Sequence, residues 1–126
     1  SATLLPHPSK PELLLFGGET ESQGKTTFFR EVLRYNYKKN EWLQVQSQNS
    51  PLPRSAHSAV VTSMQNTDWM YVFGGEFSNP DGEKFRHFND MWKLNLATDT
   101  WEQVSYSGEG PSPRSGHRMA MWKRHI

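Results

Sequence analysis

Two short stretches carry the residues best suited to chemistry, Pro53-Arg54-Ser55-Ala56-His57 and Pro113-Arg114-Ser115-Gly116-His117. Arginine offers a planar fork of N–H donors that matches a carboxylate or phosphate, and histidine can ligate a metal or move a proton near neutral pH. The arginines lie 60 residues apart, and an acid recurs upstream of each at a spacing of 59, Glu31 and Asp90. Two roles are open for Arg54 and Arg114: capture of an acidic ligand, or an ion pair that fastens each loop to the body of the fold. A metal site built from His57 and His117 lacks a third ligand and any ligand-spacing signature. His87 and His125 have no partner at metal spacing and read as solvated. No Ser, His and acid set can be assigned as a catalytic triad, and no cofactor or metal is expected.

The elements that must hold these residues follow from a second repeat. Phe16-Gly17-Gly18-Glu19 returns as Phe73-Gly74-Gly75-Glu76 after 57 residues, each time behind a run of mostly apolar residues, Glu12 to Leu15 and Trp69 to Val72. Runs this short and this apolar suit strands buried on both faces. The glycine pairs then turn the chain through a crowded bend. They match neither a Walker nor a dinucleotide fingerprint and open no helical pattern, so a phosphate cradle is not expected. Four strands are predicted per unit. The first is Ser1 to Leu5 or Ser58 to Thr62, the second the run into Gly-Gly, and the third Val32 to Tyr37 or Met91 to Leu96. The fourth opens at Trp42 or Trp101, after a turn with Asn40 or Asp99 at its tip. Between the second and third strands lie polar loops, Thr20 to Arg30 and Phe77 to Asn89, the later one longer by two residues. Units therefore span residues 1–57 and 58–117, and residues 118–126 read as the first strand of a further unit. Trp42 and Trp101 fill one position in the repeat and are expected in the core.

Composition narrows the function classes. Across 126 residues the formal net charge is +1 with no basic run, which argues against capture of nucleic acid or an anionic membrane by charge. Hydrophobic residues make up 34% and aromatics 13%, so aromatic side chains must supply much of the core. The absence of cysteine removes disulfides, thiolate metal sites and a cysteine nucleophile, and is compatible with an intracellular setting, cytoplasm or nucleus. Ser1 to Lys10 shows neither the basic nor the apolar region of a signal peptide, and no apolar run is long enough to span a bilayer as a helix.

A period near 60 with four strands per unit points to radially repeated sheets, since one such sheet cannot bury both apolar faces alone. Gly-Gly, then an aromatic six residues before a tryptophan (Tyr35 and Trp42), then Pro-Arg-Ser-x-His resembles the kelch repeat; the second unit departs from it with Leu94 in the aromatic place. More narrowly, Phe73 to Glu83, Leu96 to Val104 and Arg114 to Met119 are similar to the kelch domain-containing protein 4 family. The resemblance implies an all-β fold of kelch-type β-propeller blades, four-stranded antiparallel sheets, with about two complete blades plus the first strand of a third. It also implies a protein-interaction module of scaffold or adaptor type, with protein partners rather than nucleic acid or membrane. Enzymes occur on kelch propellers, including a copper oxidase whose site needs a cysteine crosslinked to tyrosine, and this chain has no cysteine.

Propellers normally close with four to eight blades, so two units leave apolar faces bare. Either the native chain is longer or copies associate as a homo-oligomer, three copies giving six blades; Ser1 to Leu5 and Arg118 to Trp122 would then compete for one place. A small-molecule or metal-binding propeller enzyme is the remaining alternative. For a protein partner, the loop Phe77 to Asn89 is the better candidate, because the scaffold dictates neither its length nor its residues. It places Phe77, Phe85, Arg86 and His87 together, and exposed aromatic and arginine side chains are the types enriched at interface hot spots, although Phe77 and Phe85 could instead pin the loop down. Phe88 matches Phe29 and is expected to pack on its own blade, as Phe29 does.

Overall fold

The computed structural model describes residues 1–126 and contains strands and no helix. The first sheet is formed by β1 (Thr3–Pro6), β2 (Glu12–Phe16), β5 (Val32–Asn36) and β6 (Glu41–Val45), in that spatial order and antiparallel throughout. The second repeats it with β7 (Ser58–Met64), β8 (Thr67–Phe73), β11 (Met91–Asn95) and β12 (Thr100–Val104). Each is a four-stranded propeller blade. The turns closing each sheet use the residues expected of them: Asn36 and Asn95 accept backbone N–H bonds from the two turn residues that follow, and Asn40 and Asp99 adopt positive φ.

Register decides what each face holds. In the first blade Thr3, Phe16, Val32 and Val45 stand in one row and Leu5, Leu14, Arg34 and Leu43 in the next row of the same face. The opposite face carries Leu4, Leu15, Leu33 and Gln44, then Leu13, Tyr35 and Trp42. The second blade turns the latter kind of face inward: Val61, Met70, Leu94 and Trp101 form a row, beside Ala59, Val72 and Trp92. One core results, joining Leu14, Phe16, Val32 and Val45 of the first blade to Met70, Val72, Leu94, Leu96 and Trp101 from the second. Phe16 meets Trp101 with ring centroids 5.0 Å apart.

That arrangement corrects one expectation. Trp101 is fully buried, but Trp42, at the same place in the repeat, is 57% exposed, with its ring against that of Tyr35. The tryptophan face of a blade is buried by the blade before it, and the first blade has no such neighbour among these residues. A second difference lies between β2 and β5, where polar loops were expected. The segment forms a hairpin, β3 (Glu19–Ser22) with β4 (Lys25–Phe28), and its counterpart pairs β9 (Glu76–Ser78) with β10 (Phe85–His87). Residues Gln23 and Gly24, both at positive φ, make the two-residue turn of the first hairpin. A third concerns Arg118 to Ile126, which pair with no strand and hold only an isolated bridge between Trp122 and His125. A first strand forms only against a second, and no strand lies beside these residues.

Candidate functional site

The loop from Ser50 to His57 is bound at both ends of a short span. Arg54 donates its backbone N–H to the Phe29 carbonyl, and its own carbonyl accepts from Gly18 at 2.9 Å, so its main chain belongs to the first blade. Its side chain crosses to the second. The guanidinium makes a two-pronged bond to Asp90 at 2.7 and 3.0 Å, donates to the Gly74 carbonyl at 3.0 Å and lies 4.1 Å from the centre of the Phe88 ring. Arg54 is 1% exposed. Burial pushes the Asp90 carboxyl up, but the Arg54 hydrogen bonds and charge, with a bond from Trp92 Nε1, outweigh it and hold Asp90 below the usual carboxylate range. A guanidinium buried and paired in this way is closed to a ligand.

Arg114 shows what the same residue does without a socket. Its main chain repeats the pattern, with its N–H on the Phe88 carbonyl and its carbonyl accepting from Gly75. Its exposed side chain donates only to Ser112, two residues away. Arg34, which the sequence did not single out, is a second link between blades. It is buried, and its Nη2 donates to the Leu96 carbonyl and to Asp99 at 2.7 and 2.6 Å. The signal was a cation repeated inside an otherwise apolar strand, Arg34 and Lys93.

The glycine pairs let these loops approach. At Gly17 and Gly74, with φ of 70° and 68°, a Cβ would stand 2.7 Å from the carbonyl oxygen of Arg54 or Arg114, and 2.7 or 2.8 Å from Cε1 of His57 or His117. Only glycine fits. His57 is buried edge-on against Phe16, with Nε2 3.0 Å from Thr3 Oγ1, and His117 sits edge-on to Phe73. Burial, reinforced by the Arg54 charge, pushes His57 down to about 3; burial likewise lowers His117. Both are neutral at pH 7, and no three His, Asp or Glu side chains gather into a metal-binding group anywhere in the chain.

The outward hairpin of the second blade divides its candidates. Phe77 packs on Phe28 of the first hairpin at 5.5 Å, which ties the two hairpins together. Phe85 is 55% exposed, edge-on to His87 at 4.9 Å. Arg86 lies 4.6 Å from the Phe88 ring centre, and His87 Nε2 is 3.7 Å from a Glu76 oxygen. Phe88 is 3% exposed and Phe29 36%, so the expectation that both are packed away holds for Phe88 and fails for Phe29. The difference is the arginine: Arg54 covers Phe88, and none covers Phe29.

A family model described as the KLHDC2/KLHL20/DRC7 Kelch-repeats domain matches residues 2–126. Human Kelch domain-containing protein 3 is 28% identical over 120 residues, covering 90% of this chain and 28% of that protein. The Leucine-zipper-like transcriptional regulator 1 homolog of Drosophila melanogaster is 28% identical over 115 residues, 90% of this chain and 11% of that protein. The solved structure of YjhT superposes with a TM-score of 0.60 at 22% identity, covering 88% of this chain and 37% of that one. The chain thus spans between about a tenth and two fifths of the length of these proteins. The matches support the repeat family at large and not the narrower resemblance to the kelch domain-containing protein 4 family.

Proposed function

Because this chain belongs to the kelch-repeat family, we propose that it is a non-catalytic protein-interaction module, a scaffold or adaptor element, that offers the end of its second outward hairpin to a protein partner. The observation that supports this is the exposed cluster on β10, where Phe85, Arg86 and His87 stand together in solvent while β4, the matching strand of the first hairpin, carries Thr26, Thr27 and the buried Phe28 in their places. An exposed aromatic beside an arginine is the side-chain pairing that dominates interface energetics. Hairpins held on a rigid sheet present such residues with little conformational entropy left to lose on binding.

The test is capture by the immobilised chain, compared with a Phe85→Ala, Arg86→Ala double variant. The expected result is loss of the captured protein with unfolding free energy within about 1 kcal/mol of the parent, as for surface changes. Unchanged capture, or a stability loss of several kcal/mol, would show that the hairpin end is framework.

A further inference from the structure

The turn between β1 and β2 is built on a histidine where two other turns of the chain use asparagine. In the turns before β6 and β12, Asn36 and Asn95 present a side-chain oxygen to the backbone N–H groups two and three residues on. His7 does the same with a ring nitrogen: its Nδ1 accepts from the N–H of Ser9 at 3.1 Å and of Lys10 at 3.2 Å. Accepting there requires a lone pair on Nδ1, which assigns the ring proton to Nε2 and makes the imidazole neutral. An amide oxygen keeps its lone pairs at any pH. A protonated imidazole carries a proton on both nitrogens and accepts at neither, so His7 is the turn acceptor that acid can switch off.

This turn also reaches across to the second blade. Ser9 Oγ donates to one oxygen of Asp68 on β8 at 2.5 Å, and Ser63 Oγ donates to the other. His7, Lys10, Asp68, Asn95 and Leu96 line a cavity of about 170 Å³ where the two blades meet. His7 is 7% exposed, and its Nε2 is buried without a partner. The charged groups that face it are Lys10 in its own turn, Glu12 on β2, Arg34 on β5 and Asp68 on β8, and Arg34 is itself paired with Glu12 and Asp99. Burial, then the Arg34 charge, holds His7 below its ordinary range against the opposing pull of Glu12 and Asp68.

We infer that the β1–β2 turn is an acid-released latch between the blades: a proton on His7 Nδ1 breaks both backbone bonds, frees Ser9 from Asp68 and opens the cavity wall that the turn forms. The closed turn accepts only neutral His7, whereas in the open turn the imidazole returns to its ordinary value near 6.5. Above that pH closure does not depend on pH. Below it the ratio of open to closed turn rises about tenfold per pH unit, until the closed turn takes up the proton itself. The latch shares no residue with the hairpin end of the second blade, so either proposal can fail alone.

The test is amide hydrogen exchange of the folded chain followed by NMR between about pH 7.5 and 5, expressed as protection so that the intrinsic pH dependence of exchange is removed. Ser9 and Lys10 are expected to hold constant protection down to about pH 6.5 and to lose it by about tenfold per unit below. His7→Asn keeps an acceptor that cannot titrate, so its protection at both amides should stay constant throughout; His7→Ala should lose protection at every pH. Nitrogen shifts of the His7 ring in the parent should show the proton on Nε2 at neutral pH. Protection that does not fall in the parent, a fall that His7→Asn leaves unchanged or that β8 amides share in both proteins, or a ring protonated on Nδ1 at neutral pH would overturn the inference.

Discussion

Replacing each repeat tryptophan by alanine separates local sequence from position in the ring. Trp101 is fully buried among Phe16 and the apolar residues of both blades, so Trp101→Ala removes a large side chain from a closed core and should cost about 4 kcal/mol. Trp42 is 57% exposed, with its ring 4.8 Å from that of Tyr35. Less than half of an area of roughly 250 Å² is withdrawn from water there, and alanine keeps part of it, so Trp42→Ala should cost about 1.5 kcal/mol at roughly 25 cal/mol per Å². Urea titration followed by far-UV circular dichroism, in dilute solution, measures both. Midpoints that place the two variants within about 1 kcal/mol of each other would refute the proposition that one face of the first blade lacks its cover.

Acid should weaken the fold through histidine before it does so through carboxylates. His57 titrates near 6.5 when unfolded and at about 3 when folded. The stability tied to its neutral form is therefore whole above pH 6.5 and is lost as pH falls from there toward 3, by about 1.4 kcal/mol per pH unit. Urea midpoints between pH 7 and 5 should fall with at least this slope, since His7 and His117 are lowered as well, and His57→Gln should reduce it; an unchanged slope would remove His57 as a source. Gly74→Ala should destabilise by more than Gly24→Ala, because a Cβ at Gly74 meets the Arg114 carbonyl at 2.7 Å while one at Gly24, at similar φ, meets nothing within 4 Å. Equal thermal shifts for the two would show that φ alone, and not the crowded bend, explains the double glycine.

Much of the fold was legible because the repeat is internal. The offsets that align Phe16 with Phe73 and Trp42 with Trp101 also align the registers of the second, third and fourth strands, whereas the first strands match as Thr3 with Ser58, two residues away from the alignment expected; the apolar runs before Gly-Gly are the second strands of both blades. The two hairpins were missed because β3 and β4 are polar, and only the Gln23-Gly24 turn marked them. What each candidate residue does was far less legible. Arg54 and Arg114, or Phe88 and Phe29, occupy the same place in the repeat and differ in environment. Their burial depends on the next blade around the ring, which no local pattern records. Phe77 was taken from the candidate interface by a partner, Phe28, 49 residues away in sequence. The exposure of Phe85 and Arg86 followed from a loop whose length and residues the scaffold does not dictate.

The measurement that bears most directly on the arginine as a tie between blades is a double-mutant cycle on Arg54→Ala and Asp90→Ala. Because the pair is bonded at 2.7 and 3.0 Å with Arg54 fully buried, the coupling energy should be at least about 1.5 kcal/mol. The parallel cycle of Arg114→Ala with Asp90→Ala should be additive within about 0.5 kcal/mol. Additivity for Arg54 with Asp90 would contradict the tie and return Arg54 to the residues available for binding an acidic ligand.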